Sequence, residues 1–183
     1  MPTLTIYEQK DFPSVYKWQA IAFMRCEWSS IFQGDILYLS EPYPPEFDPI
    51  HFIIAESQSL LSYATIMKRD LLHANQEYTI YGFGNMFTFS PYRNQGYGRK
   101  ILHTATQFIR QSSVDVAILF CDKNLEQYYA AEGWLATHSP TYLGYPKEQV
   151  LYEPLRMMLF ISEQGKAAQT DFESLPLCID YPW

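Results

Sequence analysis

An apolar stretch, Phe87-Thr-Phe-Ser-Pro-Tyr92, runs through Arg93-Asn-Gln-Gly96-Tyr-Gly98 straight into Arg99-Lys-Ile-Leu102 and an amphipathic helix. Few layouts accommodate a strand, two closely spaced glycines and a helix with no linker between them. Gly96 and Gly98 permit positive φ and let a ligand approach the main chain. The helix that follows presents unpaired N–H groups and the positive end of its dipole to an anion. A P-loop is excluded, because no Lys-Ser or Lys-Thr follows the glycines. The dinucleotide fingerprint is excluded as well, since its third glycine is absent. A cradle for the pyrophosphate of an acyl-CoA passes both tests.

The 183 residues, 48% hydrophobic and 18% charged, suffice for one domain with a full core, taken as 1–183. The start, Met1-Pro-Thr-Leu-Thr-Ile6, lacks the charged and apolar regions of a signal peptide. No apolar run approaches the ~18 residues of a membrane span. A cytoplasmic location without membrane contact is the expectation. Cys26, Cys121 and Cys178 are odd in number and widely spaced, which argues against disulfide and zinc frameworks. A net charge of −7 disfavours nucleic acid, whose phosphates demand a basic face, and suits a cationic partner.

Along the chain, Thr3 to Tyr7 alternates as a half-buried strand, and Ser14 to Trp28 carries apolar residues at near-helical spacing. Residues 40–50, with four prolines and three acids, read as a surface loop. His51–Glu56 and Leu60–Met67, separated by Ser57-Gln-Ser59, read as a β-hairpin. A third strand, Tyr78 to Phe89, contains Gly82 and Gly84, which mark a bulge or a close backbone approach. From Gly98 to Gln111, Ile101, Leu102, Ala105, Phe108 and Ile109 form one helix face. Val114 to Cys121 is apolar nearly throughout, as a strand covered on both sides and parallel to its neighbour. A short helix from Asn124 to Glu132 stops at Gly133, followed by strands Trp134–Thr137 and Met157–Ile161 around a Pro- and Tyr-rich connector.

The order strand, Arg93-x-x-Gly96-x-Gly98, helix, strand, then Asn124 to Tyr129 and Gly133-Trp134, resembles motifs A and B of the GNAT family of N-acetyltransferases. The likeness covers residues 51–138. It implies an α/β (α+β mixed) fold: a mixed, mostly antiparallel central sheet with two splayed strands and helices on both faces. It also implies acetyl-CoA as cosubstrate. The amides of Asn94, Gln95, Gly96, Tyr97, Gly98 and Arg99 would bind the pyrophosphate, helped by the side chains of Arg93, Arg99 and Lys100. Phe87, Thr88 and Phe89 would offer strand groups to pantetheine, Asn124 would contact the same arm, and Tyr129 would protonate the departing thiolate. The family's frequent strand glutamate has no counterpart, because Tyr78 to Phe89 holds no Asp, Glu or His. The general base is unassigned.

Within the family, Gly133-Trp-Leu-Ala-Thr-His-Ser-Pro-Thr141 and the terminal Cys178, Asp180 and Trp183 resemble aminoglycoside 2'-N-acetyltransferases. By that likeness Asp35, Glu41, Asp180 and the carboxylate of Trp183 would bind a small cationic amine. The reading is direct acetyl transfer from acetyl-CoA to a primary amine, with aminoglycosides or aminosugars ahead of polyamines or a protein amine. A homodimer is compatible with it. The alternative from another class is a non-catalytic acyl-CoA-binding or regulatory module. Cys121, at the end of a buried strand, is a poor candidate for an acetylated intermediate.

Overall fold

The computed structural model describes residues 1–144, 149–180 and 182–183. The Pro- and Tyr-rich connector therefore lies partly outside the described residues, at 145–148. Contacts divide the chain into two units, residues 1–67 with 85–105 and residues 68–84 with 106–183.

The first unit contains β1 (Thr3–Glu8), α1 (Ser14–Glu27), β2 (Ile50–Glu56) and the first part of β3 (Ser59–His73). It also holds the end of β4 (Gln76–Thr88) and the start of α2 (Tyr97–Arg110). β1 pairs antiparallel with β2 from Thr3↔Ala55 to Glu8↔Ile50, and β2 pairs antiparallel with β3 from Ile50↔Ile66 to Glu56↔Ser59. The expected hairpin turns at Ser57, whose φ is 50°. Apolar positions of α1 at 20, 21 and 24 are buried, and Ala20 and Met24 meet Ile53, Leu60, Tyr63 and Phe87 in one core cluster. The segment expected to be a surface loop is only partly so. It contains a 3₁₀ turn at Pro45–Phe47, and Pro42, Tyr43 and Pro49 are buried, because a proline-rich chain loses little entropy when packed.

The second unit holds the remainder of β3, β4 and α2, then β5 (Val116–Cys121), α3 (Glu126–Ala130), β6 (Leu135–Thr137), β7 (Thr141–Leu143) and β8 (Val150–Leu151). β9 (Leu155–Phe160), α4 (Glu163–Ala167), α5 (Gln169–Ser174) and β10 (Leu177–Ile179) complete it. Ala74 and Asn75, with φ of 50° and 60°, turn β3 into β4. Two consecutive positive φ angles suit the right-handed twist of a hairpin. The strands hydrogen-bond in the order β1-β2-β3-β4-β5-β9-β6, and β10-β7-β8 form a smaller sheet. The β5/β9 and β6/β9 ladders are antiparallel, whereas β4 and β5 are parallel, as the unbroken apolar run of β5 predicts. That parallel ladder runs from Ile80↔Val116 to Phe83↔Leu119, although β4 continues to Thr88 and β5 to Cys121. Val116, Ile118, Met158, Phe172, Leu177 and Ile179 form the core of this unit.

The glycines of β4 play a different part from the expected bulge. Positive φ in β4 falls at Asn85 (51°), not at Gly82 or Gly84. Gly82 is a close approach, but to the chain itself: a Cβ there would lie 2.7 Å from Cδ2 of the Trp183 indole.

Candidate functional site

In the first unit the glycine loop has the geometry of an anion nest. Asn94 and Gly96 both take positive φ, 63° and 80°. Asn tolerates this region better than other side-chain-bearing residues, and Gly adopts it without penalty. Gly98 does not take positive φ, since α2 begins one residue earlier than expected, at Tyr97, and Gly98 is helical. Lys100 N–H donates to Gly96 O at 3.0 Å, closing the first helical turn. The six preceding amides, Asn94 to Arg99, find no acceptor among the described residues. Alternating backbone handedness followed by a helix start turns such amides toward a common point, which favours an anion.

The side chains around the nest divide into two sets. Arg93 is engaged: its Nε donates to Thr88 O at 2.9 Å and its Nη2 pairs with Glu27 of α1. It ties the loop to its own scaffold. Arg99 and Lys100 are exposed and have no ion pair among the described residues. Two cations in the first turn of a helix face the wrong end of its dipole unless an anion offsets them. The strand atoms before the loop are largely engaged too. Phe87 O accepts from Ser62 Oγ at 2.9 Å, Phe89 N donates to Leu61 O at 2.9 Å, and Phe89 O accepts from Tyr92 N at 2.8 Å. The Phe87 ring is buried in the core, while Thr88 and Phe89 are half-buried.

In the second unit, α3 carries Tyr129 inward. The expected helix over 124–132 is shorter, with Lys123–Leu125 forming a 3₁₀ turn that leaves Asn124 exposed. Gly133 closes it at φ 84°, and Arg110 Nη2 would lie 2.5 Å from a Cβ there. Tyr129 is 7% exposed, with its ring edge-on to Phe83 at 6.4 Å. Burial first, then the neighbouring Cys121, Tyr128 and Asp122, pushes its hydroxyl well above the ordinary tyrosine range. It is held as a protonated phenol, the form able to give up a proton. Trp134 is core, with Nε1 donating to Thr106 Oγ1 at 3.0 Å. Burial pushes the Cys121 thiol up to about 11, so it is not a thiolate at neutral pH.

The four groups expected to bind a cation are divided between the two units. In the first unit Asp35 is exposed in a 3₁₀ segment, and Glu41 accepts from Lys17 Nζ at 2.5 Å and Gln9 Nε2 at 3.2 Å. In the second, Asp180 is paired with Arg69 Nη2 at 2.6 Å and 2.8 Å. The Trp183 side chain is docked, with Nε1 donating to Ile118 O at 2.9 Å. An open cleft of about 710 Å³ in the second unit brings in a residue the sequence reading passed over, Arg156, alongside Cys121, Asp122 and His138. Its one local signal is a lone arginine inside the apolar run Leu155-Arg-Met-Met-Leu-Phe160.

No family model matches the sequence, and no curated protein matches it either. Solved structures do match. ElaA of Escherichia coli is 17% identical, with 86% of this chain and 98% of that one covered at a TM-score of 0.56. An acyl-CoA N-acyltransferase from Pseudomonas aeruginosa is 18% identical, with 88% and 100% covered at 0.56. YhbS of Escherichia coli, a GNAT-family N-acetyltransferase solved in complex with CoA, is 11% identical, with 97% and 90% covered at 0.56. With its mixed sheet, its parallel β4/β5 pair and its glycine loop entering α2, this chain has the fold of the GNAT acyltransferases.

Proposed function

We propose that the protein is an acyl-CoA-dependent N-acetyltransferase that moves an acetyl group from acetyl-CoA to a primary amine by direct attack. The observation that carries this reading is the run of six unpaired amides, Asn94 to Arg99, at the head of α2, in a fold whose solved relatives include one with CoA bound. The amide nest would hold the pyrophosphate with Arg99 and Lys100 beside it, and Asn124 would reach the pantetheine. Thr88 and Phe89 would flank the same arm with whatever strand groups their own bonds leave open. Arg93 would act through the loop it positions.

In the reaction the amine nitrogen forms a bond to the thioester carbonyl carbon and the carbon–sulfur bond breaks. The nitrogen loses a proton, and the thiolate receives one from Tyr129, whose buried phenol is a proton donor at neutral pH. No carboxylate or histidine lies between Tyr78 and Phe89 to act as base, so the amine enters neutral and turnover rises with pH toward the amine's own pKa. The acceptor is a small amine. An aminoglycoside or aminosugar is favoured by the net charge of −7, but Glu41 and Asp180 would each have to exchange an internal cation for it.

Free thiol, followed with acetyl-CoA and a panel of amines, tests the reading. Amine-dependent release that falls about 10²-fold in kcat in Tyr129→Phe supports it. A CoA-dependent rise in Tm with no turnover on any amine supports instead the non-catalytic acyl-CoA-binding module, which the missing base favours. Absence of any CoA response refutes both.

A further inference from the structure

Among the described residues, Arg156 is the one Lys, Arg, Asp or Glu that is buried, at 1% exposure. On β9 it stands opposite Phe120 of β5 and Thr137 of β6. Its guanidinium donates to four acceptors, all of them neutral. Nε meets Thr137 Oγ1 at 2.7 Å and Nη1 meets Thr141 Oγ1 at 3.0 Å. Nη2 meets Ser139 Oγ at 2.5 Å and Phe172 O at 2.8 Å. A guanidinium has five N–H bonds, and the second on Nη1 has no acceptor among the described residues. No carboxylate of the described residues pairs with it. A buried charge held only by neutral groups is half of an electrostatic pair, since burial is normally offset by an opposite charge.

The same arginine borders the open cleft of about 710 Å³, and at 1% exposure a ligand reaches its guanidinium only by displacing one of the hydroxyls that hold it. Thr137, Ser139 and Thr141 line it too, and they fix the guanidinium plane, which is the pre-organisation that carboxylate recognition requires. The remaining charges of the lining are of mixed sign and exposed: Lys123, with Asp122 and Glu153. Cys121 and Asp122 line the cleft, and α3, which carries Tyr129, packs against β6 and β9, the strands of Thr137 and Arg156. A buried cation at one place and exposed carboxylates at another suit a molecule bearing both an acid and an amine.

We propose that this cleft is a carboxylate site with Arg156 as its anchor, and that the carboxylate belongs to the amine acceptor, whose amino group then lies on the side of Asp122 and Tyr129. The second half rests on the acetyltransferase reading, while the first does not. An arginine that only pinned β6 and β7 to β9 would make the same internal bonds and would ignore added acids.

Nuclear magnetic resonance of the full chain tests the first half. Acetate is titrated to tens of millimolar against sodium chloride at matched ionic strength and against acetamide. The proposal expects the Arg156 side-chain N–H resonances to move saturably with acetate alone. No acetate-specific movement overturns it, and because the wild-type chain is used, no variant has to fold. In the second arm free thiol is followed from acetyl-CoA with glycine, β-alanine and 4-aminobutyrate, each against its carboxamide twin. The acids are expected to exceed the amides at least about tenfold in kcat/KM, an advantage that Arg156→Gln abolishes and Arg156→Lys partly restores. Amides that match or beat their acids overturn the acceptor assignment. An acetate response with no turnover on any amine supports the carboxylate site, gives it to a free acid and refutes the acetyltransferase reading alone.

Discussion

Alanine at position 82 would set a methyl carbon 2.7 Å from Cδ2, 2.8 Å from Cε2 and 2.9 Å from Cγ of the Trp183 indole. Ordinary carbon contacts begin at about 3.5 Å, so the ring must withdraw by the better part of an ångström. That motion is opposed at the ring's edge, where Nε1 donates to Ile118 O at 2.9 Å. It is opposed also by Phe120, whose ring centre lies 5.5 Å from the indole, and by the Arg69 guanidinium at 5.9 Å. Loss of the hydrogen bond is worth about 1 kcal/mol and the overpacking a further 1–2 kcal/mol, for a total of about 2–3 kcal/mol. A glycine-to-alanine change inside a strand otherwise stabilises by about 0.5–1 kcal/mol, so the sign itself is diagnostic.

The assay is urea unfolding of Gly82→Ala, Trp183→Ala and the double variant. With the indole removed, the added methyl meets open space, and the double variant is expected to be more stable than the sum of the two single losses by about 2 kcal/mol. Strict additivity would refute the argument, because it would mean that the glycine answers to something other than the terminal tryptophan. The same cycle tests whether Trp183 is a substrate-binding group. If docking is its role, Trp183→Ala lowers Tm and leaves the KM of the amine unchanged.

Three further outcomes follow from the geometry. His51 is fully buried, its Nδ1 accepting from the Tyr63 hydroxyl at 2.9 Å and its Nε2 donating to Gln9 Oε1 at 2.7 Å, and burial holds its pKa down at about 3. Below the unfolded value of about 6.5 the unfolded chain binds a proton that the folded one refuses, so stability falls as pH drops from about 6.5 toward 3, by up to about 1.4 kcal/mol per pH unit. Urea midpoints of His51→Gln should show a shallower slope over that window, and an unchanged slope would remove His51 as its source. Gly96→Ala meets no atom within 4 Å but must hold φ at 80°, so it should cost about 1–2 kcal/mol and weaken CoA binding by calorimetry, while intact affinity would separate the nest from the coenzyme. Removing the charges of Arg99 and Lys100 should weaken CoA binding and flatten its salt dependence without lowering Tm, whereas the same change at Arg93 should lower Tm through loss of the Glu27 and Thr88 bonds.

What the sequence disclosed was whatever has a local physical signature. The period of Ile101, Leu102, Ala105 and Ile109 marks α2, and all four are buried. The unbroken apolar run before Cys121 marks a strand with a parallel neighbour, and Gly133 marks a helix end. The Ala74–Asn75 turn left only half a mark, since Asn75 suits positive φ but alanine is a poor residue for it and carries no turn signal. β7, β8 and β10 are only two or three residues long, and β10 pairs parallel with β7 across a long intervening stretch. Such strands are chosen by partners distant in sequence, not by their own composition. Gly82 illustrates the same limit, because the residue that requires it, Trp183, is distant in sequence.

Charge is where composition alone misleads most. Twenty acids against thirteen Lys and Arg suggest a surface prepared for a cation, yet of Asp35, Glu41 and Asp180 the last two already have internal partners, as has Glu27. Glu41 meets Lys17, Asp180 meets Arg69 and Glu27 meets Arg93. Each pair is at least partly exposed, so a ligand could break one at a cost of about 1 kcal/mol or less, but it would gain little more than it displaced. Arg156 stands in the opposite position. It is the charge most removed from water, it has no ionic partner among the described residues, and its acceptors hold it rigid without neutralising it. In a low-dielectric setting an incoming carboxylate gains the full benefit of a charge that nothing else screens. Specificity in this protein is therefore better sought at one buried cation than across its many exposed anions.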